Sequence, residues 1–381
     1  MRTAKLKDIT LTITDGKHGD CKNHDGSGYY FISCKDVYDE TIHYENARQI
    51  TEDDFRDADR RTNLAAYDIL ITNSGTIGRM ALVKDIPETR KTTFQKSVAI
   101  VRADTSQVVP NYLYYLLKSK VHDFINSSNG SAQKNLLLST MRDFDISFVD
   151  SFETQYRIAT ILSRYDSLIE NYQKQIKLLG EAAQRLYKEW FIDLHFPGHE
   201  NTNIIDGVPE GWEKKKVGDI TPIITGKKDA NFGTPDGEYP FFTCSQEPIK
   251  APSFSFDCAA VLLAGNGDFN VKLYRGRFEA YQRTYVLSPY IDSHLYLLFY
   301  TISANMTKLA AGSSGSTIKF LTKGMIDGIN LNVPNDEILR SFNKKVEPIQ
   351  SSRESLQSQL RLLTEARDRL LPKLMSGEIT I

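Results

Sequence analysis

Cysteine is scarce, with four in 381 residues, at positions 21, 34, 244 and 258. No two are spaced C-x-x-C, which argues against a zinc site of standard spacing and a dense disulfide framework, and fits a reducing compartment. An excess of one charge is missing too. The 47 Lys+Arg against 48 Asp+Glu rule out a polybasic arm and an acidic disordered tail. Residues 1–150 carry 20 basic against 21 acidic side chains, so a polyanion must be met by local patches. No stretch approaches the roughly 20 apolar residues that span a bilayer, and residues 1–13 hold no signal-like apolar run. No membrane association and a cytoplasmic location are therefore expected. What is present, 40% hydrophobic and 25% charged residues over this length, predicts two or more folded domains.

The second half of the chain replays the first in the same order. Leu6-Lys7-Asp8-Ile9-Thr10 returns as Val217-Gly218-Asp219-Ile220-Thr221, and Phe31-Ile32-Ser33-Cys34 as Phe241-Phe242-Thr243-Cys244. The stretch Asp68-Ile69-Leu70-Ile71-Thr72-Asn73-Ser74-Gly75 is echoed by Ala260-Val261-Leu262-Leu263-Ala264-Gly265-Asn266-Gly267, a buried strand entering a glycine turn. Phe94-Gln95-Lys96-Ser97 matches Tyr281-Gln282-Arg283-Thr284, and Gly130-Ser131-Ala132-Gln133-Lys134-Asn135-Leu136 matches Gly315-Ser316-Thr317-Ile318-Lys319-Phe320-Leu321. The chain reads as a tandem duplication.

Each half ends in a long helical pattern. Leu162, Ile169, Ile176, Ala183 and Trp190 fall on heptad position a, with Ile158, Tyr165, Tyr172, Leu179 and Leu186 on d. The second copy places Val346, Arg353, Leu360, Arg367 and Leu374 on a and Phe342, Ile349, Leu356, Leu363 and Leu370 on d, interrupted only by the two arginines. Pro348, without an amide donor, predicts a kink or restart in the second helix. A Pro- and Gly-rich linker over residues 195–212 follows the first helix. The expected fold is α+β: two similar α/β heads joined by a long antiparallel two-helix coiled coil, pseudo-two-fold symmetric. Its parts are residues 1–150 (first head), 151–195 (first helix), 196–333 (linker and second head) and 334–381 (second helix). A helix over residues 152–190 would be about 58 Å long at 1.5 Å per residue. Two similar but non-identical heads on a spacer suit duplex DNA, whose grooves recur about every 34 Å.

The chain resembles the specificity subunits of type I restriction-modification systems over essentially its whole length. The resemblance rests on Asp15-Gly16-Lys17-His18, on the Asp-Ile-Leu-Ile-Thr strand ending in Ser74-Gly75-Thr76-Ile77-Gly78, and on Gly130-Ser131-Ala132-Gln133-Lys134. It rests also on Gln155-Tyr156-Arg157-Ile158 and on Gly207-Val208-Pro209-Glu210-Gly211-Trp212. In the second copy Thr225-Gly226-Lys227-Lys228 replaces the Asp-Gly-x-His pattern. The resemblance implies a non-catalytic subunit that reads an asymmetric, interrupted double-stranded DNA target, one half-site per head, alongside two methyltransferase and two restriction/translocase subunits. S-adenosylmethionine, ATP and Mg would then belong to those partners, with no cofactor or metal in this chain. Pro-Pro is absent, as is the G-x-x-x-x-G-K-[ST] phosphate loop, so neither the methyltransferase motif nor an ATP motor is encoded here. A non-catalytic structural adaptor with a coiled-coil rod is the alternative reading; it leaves the duplicated heads without a purpose.

Candidate DNA-binding residues lie on turns after buried strands, where bidentate or charge-assisted side chains can meet bases and phosphates. In the first head these are Lys17, His18, Asn73, Ser74, Thr76, Arg79, Gln95, Lys96, Gln133 and Lys134; in the second, Lys227, Lys228, Asn266, Asn270, Arg275, Gln282, Arg283 and Lys319. For any one of them, an ordinary solvated surface position is the competing reading. The crowd of His18, Asp20, Cys21, His24 and Asp25 imitates a metal site without a standard ligand spacing, and a polar loop rich in glycine is the plainer reading. Ile161, Leu168, Ala182, Tyr187 and Phe191 fall outside the a and d seam, which predicts a partly exposed apolar surface for a partner, a methyltransferase helix by the resemblance.

Overall fold

The computed structural model describes residues 1–128, 135–313 and 319–381. It combines helix and strand and falls into two compact units, Met1–Asn171 with Gln359–Ile381, and Tyr172–Ser358. Among the described residues, no helix is long and apolar enough to cross a membrane.

Unit 1 is built on a four-stranded antiparallel sheet in the order Thr10–Asp15, Val98–Ala103, Ile69–Thr72, Met80–Leu82. The central strands read almost wholly apolar because both faces are covered. Ile69, Ile71, Ala99 and Val101 pack with Tyr112, Leu113 and Leu116 of the helix Pro110–Ser119. Leu70, Val98 and Ile100 point the other way, against Ile32, Val37 and Phe94. Strand Tyr30–Ile32 pairs in parallel with Thr92–Phe94, and Arg2–Lys5 pairs antiparallel with Asp145–Phe148.

Unit 2 repeats this scheme in a six-stranded sheet ordered Ile223–Thr225, Thr284–Leu287, Phe256–Ala264, Val271–Ala280, Tyr239–Phe242, Ile249–Ala251. Strand Tyr239–Phe242 again pairs in parallel, here with Val271–Ala280. Glu213–Lys216 pairs antiparallel with Asn330–Val333 as Arg2–Lys5 does with its partner. Even the entry turns agree, since the Lys5 and Lys216 amides donate to Asp8 and Asp219 three residues on, at 3.3 and 2.7 Å.

The repeat differs from the sequence matching at one point. Gly16 N–H donates to Val98 O and Gly226 N–H to Thr284 O, so Val98 corresponds to Thr284 and Phe94 to Ala280. The match of Phe94-Gln95-Lys96-Ser97 to Tyr281-Gln282-Arg283-Thr284 is therefore one residue out of register: Gln95 stands where Tyr281 does, and Lys96 where Gln282 does. The shared Gln misled the alignment, and the backbone pairing corrects it.

Two long helices, Phe152–Tyr187 and Asp336–Ser376, each contribute to both units instead of forming a separate domain. In unit 1, Ile158, Ala159 and Leu162 share a core with Leu371, Leu374 and Met375. In unit 2, Trp190 lies 5.9 Å from Phe342, and Gly180 lies against Arg353, so the segments run antiparallel. The restart expected at Pro348 does not occur, since the helix Asp336–Ser376 runs through it unbroken. Pro348 and Lys344 are both exposed, so the carbonyl that proline leaves without an amide donor lies on the solvent side of the helix.

Two expected surface residues are core residues. Tyr187 is buried with its hydroxyl 3.1 Å from Thr301 Oγ1, and Phe191 is buried edge-on to Phe342 at 4.8 Å and 5.6 Å from Trp212. At this end the first helix passes under the helix Leu295–Gly312 and closes with a π turn, Lys188–Ile192, which widens its buried face beyond a two-helix seam. Leu168 and Ala182 are exposed and Ile161 is half-buried.

Gln155 joins the first helix to its head. Buried, it accepts from Val109 N–H at 2.8 Å and donates to Val149 O at 2.7 Å. Gln155→Leu leaves both backbone groups unpaired at similar volume and is expected to cost about 2 kcal/mol. Urea denaturation checks this; unchanged stability means that water satisfies both groups.

Candidate nucleic-acid interface

The candidate residues gather where strands end. In unit 1 the chain leaves strand Thr10–Asp15 at Gly16, where an added Cβ would stand 1.9 Å from Phe94 O. Only glycine permits that approach, and it brings Lys17 into bridge pairing with Gln95. Lys96 N–H then donates to Lys17 O at 3.2 Å. Asn73, just past strand Ile69–Thr72, is held on both sides: its N–H donates to Ser97 O at 3.0 Å and its carbonyl accepts from Leu136 N–H at 2.8 Å. Ser74 bridges Asn135. The turn from Asn73 to Arg79 closes on Thr72, whose Oγ1 donates to Thr76 O and accepts from Arg79 N–H at 2.9 Å. Thr76, Arg79 and Lys96 are exposed, and Asn73 is buried with its Oδ1 unpartnered among the described residues.

Unit 2 builds the same frame. An added Cβ on Gly226 would lie 1.9 Å from Ala280 O. Gln282 N–H donates to Lys228 O at 2.9 Å, Gly265 N–H to Arg283 O at 2.8 Å, and Leu321 N–H to Gly265 O at 2.8 Å. Asn266 bridges Phe320, beside the exposed Lys319. Asn270 donates to Cys244 O at 2.9 Å. Lys227 is exposed, while Lys228 stands 4.3 Å over the Phe232 ring. Lys272, absent from the sequence candidates, joins them here: its ammonium donates to Ser245 O at 2.7 Å and to Asn270 Oδ1, and its burial lowers its pKa. Its place in an alternating strand beside Asn270 was the available signal.

Three candidates stand apart. Arg275 is mid-strand, with its guanidinium 5.2 Å over the Tyr296 ring and 3.7 Å from Glu347 of the second long helix, so it is engaged away from the loop cluster. Gln133 and Lys134 lie outside the described residues.

Two of the unit 1 candidates, Lys17 and His18, are already paired. Lys17 Nζ is 3.0 Å from Asp57 and 3.8 Å from Asp54, both on the helix Glu52–Thr62, and the Asp57 hydrogen bond holds its pKa above the usual lysine value. His18 meets Asp15 at 2.9 Å, a carboxylate that also takes Arg61 at 2.6 Å. Two more members of the metal-like crowd are engaged elsewhere. Asp20 pairs with Arg48 at 2.6 Å, and Cys21 is buried with Phe31, Ile50 and Phe55. Among the described residues, no group of three His, Cys, Asp or Glu is placed to hold a metal.

The arrangement defines a class of protein: two copies of an α/β head, each carrying a loop cluster on one backbone frame and each fused to a long helix. The chain belongs to the family described as type I restriction modification DNA specificity domain, whose sequence profile matches residues 3–179 and 209–352. It is 36% identical over 177 residues to the EcoDI specificity subunit of Escherichia coli, covering 45% of this chain and 40% of that one. It is 28% identical over 395 residues to the MjaIX specificity subunit of Methanocaldococcus jannaschii, covering 94% of this chain and 89% of the relative. The crystal structure of the type I restriction-modification S subunit from M. genitalium has the same fold, with a TM-score of 0.65 at 16% identity over 98% of this chain and 96% of that one.

Asp57→Asn replaces the charged acceptor of the hydrogen bond that holds Lys17 up by a neutral amide, so the Lys17 pKa is expected to fall toward the ordinary lysine value. An NMR titration of the ammonium signal measures it; an unchanged value would mean that Asp54 suffices.

Proposed function

We propose that this chain is the DNA-specificity subunit of a type I restriction-modification enzyme, non-catalytic itself, with each head reading one half of an asymmetric bipartite duplex target. One observation carries this: the two loop clusters share a frame and differ in the side chains mounted on it. Asn73 of one stands where Gly265 stands in the other, Ser97 where Arg283 does, and Lys96 where Gln282 does. Similar frames with different donors and acceptors suit two different half-sites. Family membership supports the reading, and the adaptor alternative gives these clusters no task.

The long helices are proposed to form an antiparallel coiled coil that sets the unread spacer and docks two methyltransferase subunits, with two restriction/translocase subunits completing the enzyme. S-adenosylmethionine, ATP and Mg are assigned to those partners. The docking surface is drawn from the exposed apolar residues of the first helix, Leu168 and Leu178, with Ile161 and Ala182 beside them; Tyr187 and Phe191 are withdrawn from it because they are core.

Exchanging residues 1–150 for the equivalent head of another such subunit is expected to change one half of the target only, as mapped by methylation sequencing of the assembled methyltransferase. A change in both halves overturns modular reading.

The double change Leu168→Asp and Leu178→Asp places charge on exposed positions and leaves the core intact. Losing two apolar contacts, each worth about 1.5 kcal/mol or more when buried, should weaken methyltransferase association at least tenfold in co-purification or titration. Full retention of the partner moves the interface elsewhere.

A further inference from the structure

Arg367 is the one arginine of the second helix's seam that is closed off from solvent, with a side chain 7% exposed. Its guanidinium forks onto Glu40, Nη1 at 2.9 Å from Oε2 and Nη2 at 2.9 Å from Oε1, while Nη1 also reaches Asp166 of the first helix at 2.7 Å. Nε donates to Asp368 at 3.0 Å. The helix Pro110–Ser119 closes the set: Tyr115 hydroxyl donates to Asp166 at 2.5 Å, Tyr114 hydroxyl to Glu40 at 3.4 Å, and Lys118 Nζ lies 2.6 Å from Glu40. Bidentate arginine–carboxylate pairs fix orientation as well as distance.

Glu40 is an unusual residue for its place. It shares with Asp39 the two-residue turn between strands Val37–Tyr38 and Thr41–Ile42, at φ 61° and 47°. Such a turn favours Asn-Gly, and two other residues there carry a conformational cost. A glutamate at that tip makes sense through what its carboxylate holds. The base of the hairpin leads to the loop cluster by direct hydrogen bonds. His43 N–H donates to Asp36 O at 2.8 Å, Asp36 carboxylate accepts from Ser33 N–H at 2.8 Å, Cys34 N–H donates to Ser97 Oγ at 3.2 Å, and Asn73 N–H to Ser97 O. The hairpin thus joins the helix segments of unit 1 to the clamp that carries its candidate reading turn. In unit 2 the same helical phase holds Ala183 and Gln350, with no ionised pair.

We infer that Glu40 and Arg367 are positioning residues for DNA reading, a joint that fixes the first head's loop cluster on the helix segments and so limits which spacer lengths are accepted. This rests on the functional reading above. A joint of this kind acts through geometry, and displacements near 1 Å at a reacting centre can cost about a hundredfold in rate.

The test uses the assembled methyltransferase with the full chain, on duplexes carrying its mapped target with the natural spacer and with one base pair added or removed. Glu40→Gln keeps the side-chain volume and the turn residue's size but removes the charge. It is expected to leave methylation at the natural spacer within about threefold and to reduce the preference over altered spacers by about tenfold. Arg367→Met should do the same, and the double variant no more than either, because the two residues act as one contact. Should Arg367→Met fail to fold, Glu40→Gln on the hairpin tip still decides. Unchanged spacer preference in folded Glu40→Gln overturns the joint, as does an equal loss of rate on every spacer. A wild-type complex that recognises no interrupted site overturns the functional reading and the joint together.

Discussion

Both loop clusters hang from a backbone clamp at the end of the central strand. In each unit one residue, Asn73 or Gly265, donates its amide to the turn of the neighbouring hairpin and receives an amide from the returning segment at Leu136 or Leu321. Buried peptide groups must be paired, so these contacts are demanded whatever the side chain is. The glycine approach at Gly16 and Gly226 is the second such demand, since any Cβ there collides with a carbonyl oxygen. A frame held by main-chain atoms leaves its side chains free to differ, which is how two heads keep one architecture and carry different chemistry.

The same accounting explains where the long helices belong. A helix with one apolar stripe must bury it, and here each end finds a separate core. The start of the first helix is completed by Tyr112 and Leu116 of unit 1, its end by Phe342, Trp212 and Tyr300 of unit 2. Half-buried seam residues such as Tyr172, Ile176 and Leu179 occupy the stretch between. The charged exception at Arg367 follows from that division: it sits where the unit 1 head supplies Glu40 and the first helix Asp166, and Ala183 suffices within the apolar core of unit 2.

Duplication, strands and helices were legible in the residues because each rests on a local period or a glycine that a turn requires. Thr72-Asn73-Ser74-Gly75 and Ala264-Gly265-Asn266-Gly267 align correctly since the clamp needs that turn in both copies. The Gln95 and Gln282 pairing failed because those side chains answer to nothing in the frame, so identity carried no register. Tyr187 and Phe191 were misplaced because a heptad describes two helices, and the third surface, from the helix Leu295–Gly312, is non-local. Glu40 meeting Arg367, 327 positions later, has no sequence signal at all.

The charges of the loop clusters bear on how such a chain would divide affinity from specificity. A cation adds to phosphate binding only by what it gains over its existing partner. Lys17 already has Asp54 and Asp57, Asp15 already has Arg61 and His18, and Gln282 already donates to Asp229 at 2.7 Å. On the proposed reading, each contact with DNA in these places exchanges an internal partner for an external one. The gain is small for a generic phosphate and larger where a base edge matches the freed donor. On that reading the paired groups add little to the hold on a polyanion of any sequence, which is left to exposed cations such as Arg79, Lys96 and Lys227.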